Sequence, residues 1–202
     1  MDDRTRLQAA AAQYPYLRGL LAVPGGALFV IAALGNWKWG PLRYNAVFIG
    51  VVAVIAAAAA VINRYYNERY GRVTPSREQS VKAALAIAAG AGLITLGSLL
   101  LRSRASWSLD LPVNPIPATF GLLMVVYYSA LVGLKAHHAV IWGALIVVGL
   151  LPVWNGGDPS NVGLVITGVA VAVNGIFDHR LLTRLLADTR AHANLNAEHA
   201  GR

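Results

Sequence analysis

The chain contains no cysteine, which excludes disulfides, thiol nucleophiles, thiolate-bound metals and iron–sulfur clusters. Charged residues are also scarce, at 13% of the chain, whereas about a quarter of a soluble domain is charged. The sequence also lacks a P-loop, a His-Glu-x-x-His metalloprotease motif and a Gly-x-Ser-x-Gly nucleophile motif. These absences remove the enzyme classes that such motifs identify.

Hydrophobic residues make up 56% of the 202 residues and concentrate in long uncharged runs. A membrane-spanning helix needs about 20 such residues, and about six runs approach that length. We therefore predict an all-α integral membrane protein, with about six transmembrane helices in one compact bundle over residues 1–190 and a flexible polar tail over 191–202. The predicted spans are 19–34, 44–62, 81–101, 117–134, 139–154 and 162–177.

The formal net charge of +8 comes from arginine and lysine in the segments between the predicted spans. Most of these residues fall on one side if both termini share it, and only Lys38, Arg43, Arg102 and Arg104 fall on the other. Cytoplasmic loops are enriched in Lys and Arg, so we expect both termini in the cytoplasm. The Ala-, Gly- and Arg-rich composition is typical of a bacterial protein, and we predict a multi-pass protein of the bacterial cytoplasmic membrane.

Two helix ends resemble each other. Asn63 and Asn67 lie four residues apart with an aromatic residue between them, and Asn174 and Asp178 repeat the arrangement. Residues four apart share one helical face. Either each pattern is ordinary helix-end chemistry, or a duplicated hairpin brings both ends into one polar cluster.

Five residues are candidates for acid–base chemistry, because carboxylates and imidazoles transfer protons and bind metals. Adjacent helical residues point about 100° apart, which argues against one ion bound by neighbours. The alternative is a polar cluster that satisfies helix ends and contacts lipid headgroups. We therefore predict no cofactor and no metal. The candidates are Asp178, His179, His137, His138 and Glu68.

Inside the predicted spans the polar residues are neutral. Tyr127, Tyr128 and Asn174 are the candidates for lining a solute path. Buried charges mark ion-coupled transport, and their absence from the predicted spans argues against that class.

The basic residues at the predicted cytoplasmic face favour anionic lipid headgroups over nucleic acid as the partner. The candidate headgroup contacts are Arg64, Arg69, Arg72, Arg180 and Arg184.

Three functions remain open from the sequence. The leading expectation is a non-catalytic accessory subunit that meets a protein partner or a second copy of itself. The alternatives are a small transporter or channel for a neutral or apolar solute, and a membrane enzyme acting on a lipid-linked substrate at the cytoplasmic face.

Overall fold

A computed structural model of the chain describes Tyr14, residues 17–70, isolated positions between 77 and 92, and residues 114–131, 133–151 and 159–200. These residues form helices and short connections without any strand, as the sequence predicts. Two 3-10 turns, Gly19–Leu21 and Gly40–Arg43, flank the first helix. The helices are α1 (Ala22–Asn36), α2 (Asn45–Tyr70), α3 (Pro115–Leu131), α4 (Ala136–Leu150) and α5 (Pro159–Ala200).

Three segments of the described chain are long and apolar enough to cross a membrane: Gly19–Asn36, Asn45–Tyr70 and Ser160–Leu185. They correspond to the first, second and sixth predicted spans. The fourth and fifth predicted spans form the shorter apolar helices Ile116–Leu131 and Ala136–Leu150. The third predicted span, 81–101, lies largely outside the described residues.

The most extensive contact in the described fold joins α1 to α5, which run antiparallel. Gly26 faces Gly168 so closely that a Cβ on either residue would collide with the carbonyl oxygen of the other. Gly19 and Gly175 make the same contact seven residues away. Seven residues correspond to about two helical turns, so both pairs lie on one seam. Small residues at helix interfaces allow this close approach in membranes.

Helices α3 and α4 form a second antiparallel pair. Asn114 begins α3: its side-chain Oδ1 accepts the Ile116 N–H at 3.2 Å, and Pro115 follows as the first helical residue. This is the usual helix start for an Asn-Pro sequence. The Asn114 N–H donates to the Gly149 carbonyl at 2.9 Å, which ties the start of α3 to the end of α4.

Helix α2 lies at the outside of the described bundle. None of its most apolar window is buried, and Val54 and Val61 are each more than two-thirds exposed. Tyr66 is the exception, because its side chain is fully buried against the other helices. The apolar surface of α2 therefore faces outwards, while its last turns are fastened to the bundle.

Two boundaries differ from the sequence prediction. Helix α4 begins at Ala136, so His137 and His138 lie in its first turn and not in a loop. The sequence predicts that the sixth span ends at residue 177 and that its helix continues as a short amphipathic extension, whereas helix α5 runs to Ala200 and the candidate span extends to Leu185. Asp178 is therefore a buried carboxylate within a candidate membrane span. The predicted sixth span, 162–177, contains only neutral polar groups, and packing against α3 and α4 buries Asp178 directly after its end.

Candidate functional site

The candidate site lies where three helices meet at one end of the bundle. Helix α5 contributes Asn174 and Asp178, which are four residues apart and share one face. Helix α4 contributes His137 and His138 from its first turn, and helix α3 contributes Tyr128 near its last turn. We call these five residues the Asp178 cluster.

Asp178 is 1% exposed and accepts four hydrogen bonds. His137 Nε2 and His138 Nε2 lie 3.0 and 2.8 Å from its Oδ1. The Tyr128 hydroxyl and the Asn174 amide nitrogen each donate to Oδ2 at 2.8 Å. A carboxylate offers about four lone-pair positions, and here all of them are used. A buried carboxylate normally needs such partners, because removing a charge from water is costly.

The proton on His138 can be assigned from its other nitrogen. His138 Nδ1 lies 3.3 Å from the backbone nitrogen of Lys135, which can only donate. Nδ1 is therefore the acceptor, and the proton of the neutral ring is on Nε2, where it points at Asp178. The same contact satisfies an unpaired N–H at the start of α4.

Aromatic rings enclose most of the cluster. The His138 ring stacks on the Tyr128 ring with 3.8 Å between centroids, and Tyr128 in turn stacks with Trp142 at 6.2 Å. His137 lies at the edge, stacked against Phe177 at 5.8 Å, and 20% of its side chain is exposed. His137 is thus the member through which the cluster meets its surroundings.

Three members of the cluster have the chemistry of a metal site. One ligand atom from each of His137, His138 and Asp178 lies within 4.8 Å of the other two. Two imidazoles with one carboxylate suit zinc or ferrous iron, and three protein ligands leave a further coordination position open. Tyr128 and Asn174 hold the other carboxylate oxygen, as outer partners do in metal sites. One feature argues against a bound metal. To bind it, His138 Nε2 must lose its proton, yet His138 Nδ1 accepts from the Lys135 N–H, whereas this nitrogen of a metal-bound histidine usually donates to an acceptor.

Some buried polar atoms near the cluster have no hydrogen-bond partner in the described part of the chain. Asn174 Oδ1 lies within the cluster, while Trp142 Nε1 and Thr167 Oγ1 lie further along α4 and α5. Such atoms are rare in protein interiors, and each is costly to leave unpaired. The bundle interior beyond Asp178 therefore keeps unused hydrogen-bonding capacity.

His179 belongs to a different set of contacts. Its Nδ1 lies 2.8 Å from the Tyr66 hydroxyl, which also accepts the Leu20 N–H at 3.2 Å. The Tyr14 hydroxyl donates to the Tyr66 carbonyl at 3.1 Å. These bonds join α5, α2 and the segment before α1. The adjacent residues Asp178 and His179 thus face different neighbours, as their helical spacing predicts.

The two similar helix ends form neighbouring clusters rather than one. Asn174 and Asp178 face α3 and α4, whereas Asn63 and Asn67 accept hydrogen bonds from Arg18 at 3.2 and 3.0 Å. The contact between Tyr66 and His179 connects the two sets.

The other predicted site residues are not members of the Asp178 cluster. Glu68 is exposed and pairs with Arg64 at 2.6 Å, and Arg69 lies over the Tyr65 ring. Tyr127 is half-buried with its ring beside Tyr128. Arg180 and Arg184 are exposed on α5, and Arg72 lies outside the described residues.

Arg18 was not among the residues singled out from the sequence as site candidates. The sequence signal that could have identified Arg18 is an aromatic residue, Tyr14, four positions before it. In the structure the Tyr14 ring lies 4.8 Å from the guanidinium carbon of Arg18.

Comparison with known proteins adds no relative: no family model, curated protein or solved structure matches the chain.

Proposed function

We propose that this protein is a membrane-embedded metal-binding protein, and that His137, His138 and Asp178 bind a divalent transition metal, with Zn²⁺ as the first ion to test. The observation that supports the proposal is the convergence of two imidazoles and one carboxylate, drawn from two helices, at a buried point. An ionisable group inside a membrane protein is costly and usually has a function.

Metal and protons compete for this site. In the hydrogen-bonded arrangement His138 Nε2 carries a proton towards Asp178. A metal binds the deprotonated nitrogen, so binding releases protons and weakens as the pH falls. The partly exposed His137 offers the entry side and can change position with the least repacking.

The test measures Zn²⁺ bound per chain in the purified full-length protein, by equilibrium dialysis and elemental analysis over a range of pH. We expect one ion per chain, with affinity falling towards acidic pH. His137→Ala should weaken binding strongly, and it should fold because His137 lies at the edge of the cluster. His179→Gln is the matched control, because His179 is the next residue to Asp178 but bonds to Tyr66. The proposal is refuted if the His137→Ala protein binds Zn²⁺ as tightly as the His179→Gln protein does.

We also propose a finer topology: six spans, both termini in the cytoplasm, and location in the bacterial cytoplasmic membrane. The uneven distribution of arginine and lysine supports this arrangement. It would locate the Asp178 cluster and Arg18 near the cytoplasmic face.

A transport role is a second candidate, for a cation or small polar solute. It is favoured by three buried atoms that have no hydrogen-bond partner among the described residues, namely Trp142 Nε1, Thr167 Oγ1 and Asn174 Oδ1. Thr167 lies eleven residues before Asp178, or about 16 Å along α5, so these atoms extend from the cluster towards the opposite end. Uptake of Zn²⁺ into vesicles containing the protein tests this role separately from binding. The accessory-subunit role stays a prediction, and native mass spectrometry after gentle extraction tests it.

A further inference from the structure

Arg18 is a half-buried cation with neutral partners. Its guanidinium donates to Asn63 Oδ1 at 3.2 Å, to Asn67 Oδ1 at 3.0 Å and to the Tyr14 hydroxyl at 3.5 Å. It also lies against the rings of Tyr14 and Tyr66. Among the residues that the structure describes it forms no ion pair, and its Nε has no hydrogen-bond partner. A charge with this little compensation attracts an anion.

The two asparagines connect Arg18 to an open cleft on α2. An arginine only donates, so the amide oxygens of Asn63 and Asn67 must face it. Their amide nitrogens make no hydrogen bond within the described residues and remain available as donors. The cleft is lined by Ala60, Asn63, Arg64, Asn67 and Glu68. We call it the Arg18 cleft after the cation that the two asparagines contact, although Arg18 is not part of the lining.

The charge of the cleft favours an anion that can accept several hydrogen bonds. Arg64 uses its Nε for Glu68, and within the described part of the chain its two terminal nitrogens make no hydrogen bond. Arg18 and Arg64 together outweigh the one carboxylate of Glu68. A phosphate group, with several acceptor oxygens, matches this set of donors.

The surroundings of the cleft distinguish a lipid from a free anion. Ala60 forms its apolar side, and the neighbouring Val61 is 68% exposed. Donors thus lie directly beside an apolar helix surface, at the end of a candidate membrane span. Tyr65 is also exposed in the same turns, where aromatic residues meet the membrane interface. A headgroup phosphate with its acyl chains along α2 satisfies both surfaces.

We propose that the Arg18 cleft binds the phosphate of an anionic phospholipid, held by Arg64 and the amide nitrogens of Asn63 and Asn67, while Arg18 contributes its positive charge from behind the two asparagines. This site is separate from the Asp178 cluster and does not depend on metal binding.

The test measures how much phosphatidylglycerol stays bound to the purified protein, by native mass spectrometry from micelles with equal phosphatidylglycerol and phosphatidylcholine. Arg18→Gln should reduce the preference for phosphatidylglycerol about fivefold, because one basic residue near an anionic surface contributes about that factor. Arg43→Gln is the matched control: Arg43 also lies over a tyrosine ring, that of Tyr44 at 4.7 Å, but at the other end of α2.

Two further variants separate binding from folding. Asn67→Asp gives Arg18 an ion-pair partner of almost the same shape, so the packing is preserved. The new carboxylate cancels the positive charge of Arg18 and should reduce phosphatidylglycerol binding. Glu68→Gln removes a negative charge and should increase it. The proposal is refuted if Asn67→Asp and Arg18→Gln retain phosphatidylglycerol as Arg43→Gln does. If millimolar inorganic phosphate abolishes the preference for phosphatidylglycerol over phosphatidylcholine, the cleft is a free-anion site and the lipid assignment is overturned.

Discussion

Replacing Asp178 by asparagine changes one atom of the buried cluster and leaves its shape intact. The carboxylate accepts from His137 and His138 on one oxygen and from Tyr128 and Asn174 on the other. An amide nitrogen in either position donates where an acceptor is needed. Two of the four donors then lose their acceptor, although the Tyr128 hydroxyl can rotate to accept from the new amide.

The expected loss in the free energy of unfolding follows from the number of buried donors that are left without an acceptor. One unpaired buried group costs about 1–3 kcal/mol, and at the middle of that range, about 2 kcal/mol each, one to two of them lower the free energy of unfolding by about 2–4 kcal/mol. For a chain of this size each kcal/mol shifts the melting temperature by about 2–4 °C. We therefore expect Asp178→Asn to melt about 4–16 °C below the unmodified protein.

The assay is thermal unfolding of both proteins in the same mild detergent, without added metal and at one scan rate. Glu68→Gln is the control, because it also converts a carboxylate to an amide but at an exposed position, where the carboxylate pairs with Arg64. An Asp178→Asn protein that melts together with Glu68→Gln would show that Asp178 does not receive these four bonds. In that case the structural basis of the proposed metal site would also fail.

Two further predictions concern packing and topology. Gly26→Leu should prevent α1 from closing on Gly168 and abolish the folded protein, whereas Gly25→Leu should be tolerated because no atom of the described residues lies within 4 Å of its Cβ position. Equal yields of the two variants in membranes would contradict the α1–α5 seam. Because the chain has no cysteine, Trp39→Cys and Arg69→Cys each introduce a single exposed thiol, at opposite ends of α2. A membrane-impermeant thiol reagent added to intact cells should label only position 39, and labelling of position 69 instead would reverse the proposed orientation.

The apolar segments could be predicted from composition because a long uncharged run has few alternatives to a helix in a membrane. Their ends were harder to predict. The sixth predicted span ends at residue 177 because Asp178, His179 and Arg180 follow, whereas the candidate span of the structure extends to Leu185. Asp178 is buried there because α3 and α4 supply its hydrogen-bond donors. The spacing of residues along the sequence does not reveal such partners, because they lie 40 and 50 residues away from Asp178 in the chain.

The candidate site shows the same division. Spacing correctly separated Asp178 from His179, since a rotation of about 100° on one helix directs them to different neighbours. The same argument did not anticipate that the adjacent His137 and His138 both reach Asp178 Oδ1. Two long imidazole side chains in the first turn of a helix can converge on a group that approaches from another helix.

The sequence by itself determined that this protein is helical and apolar, since hydrophobic content and the absence of charge act locally along the chain. Only the tertiary structure decided which polar residues meet. The α1–α5 glycine seam brings α5 against α1, and α3 and α4 then supply Tyr128 and the two histidines to Asp178. Hydrogen bonds and metal coordination act over about 3 Å, so they depend on how helices pack, which residue order alone does not specify.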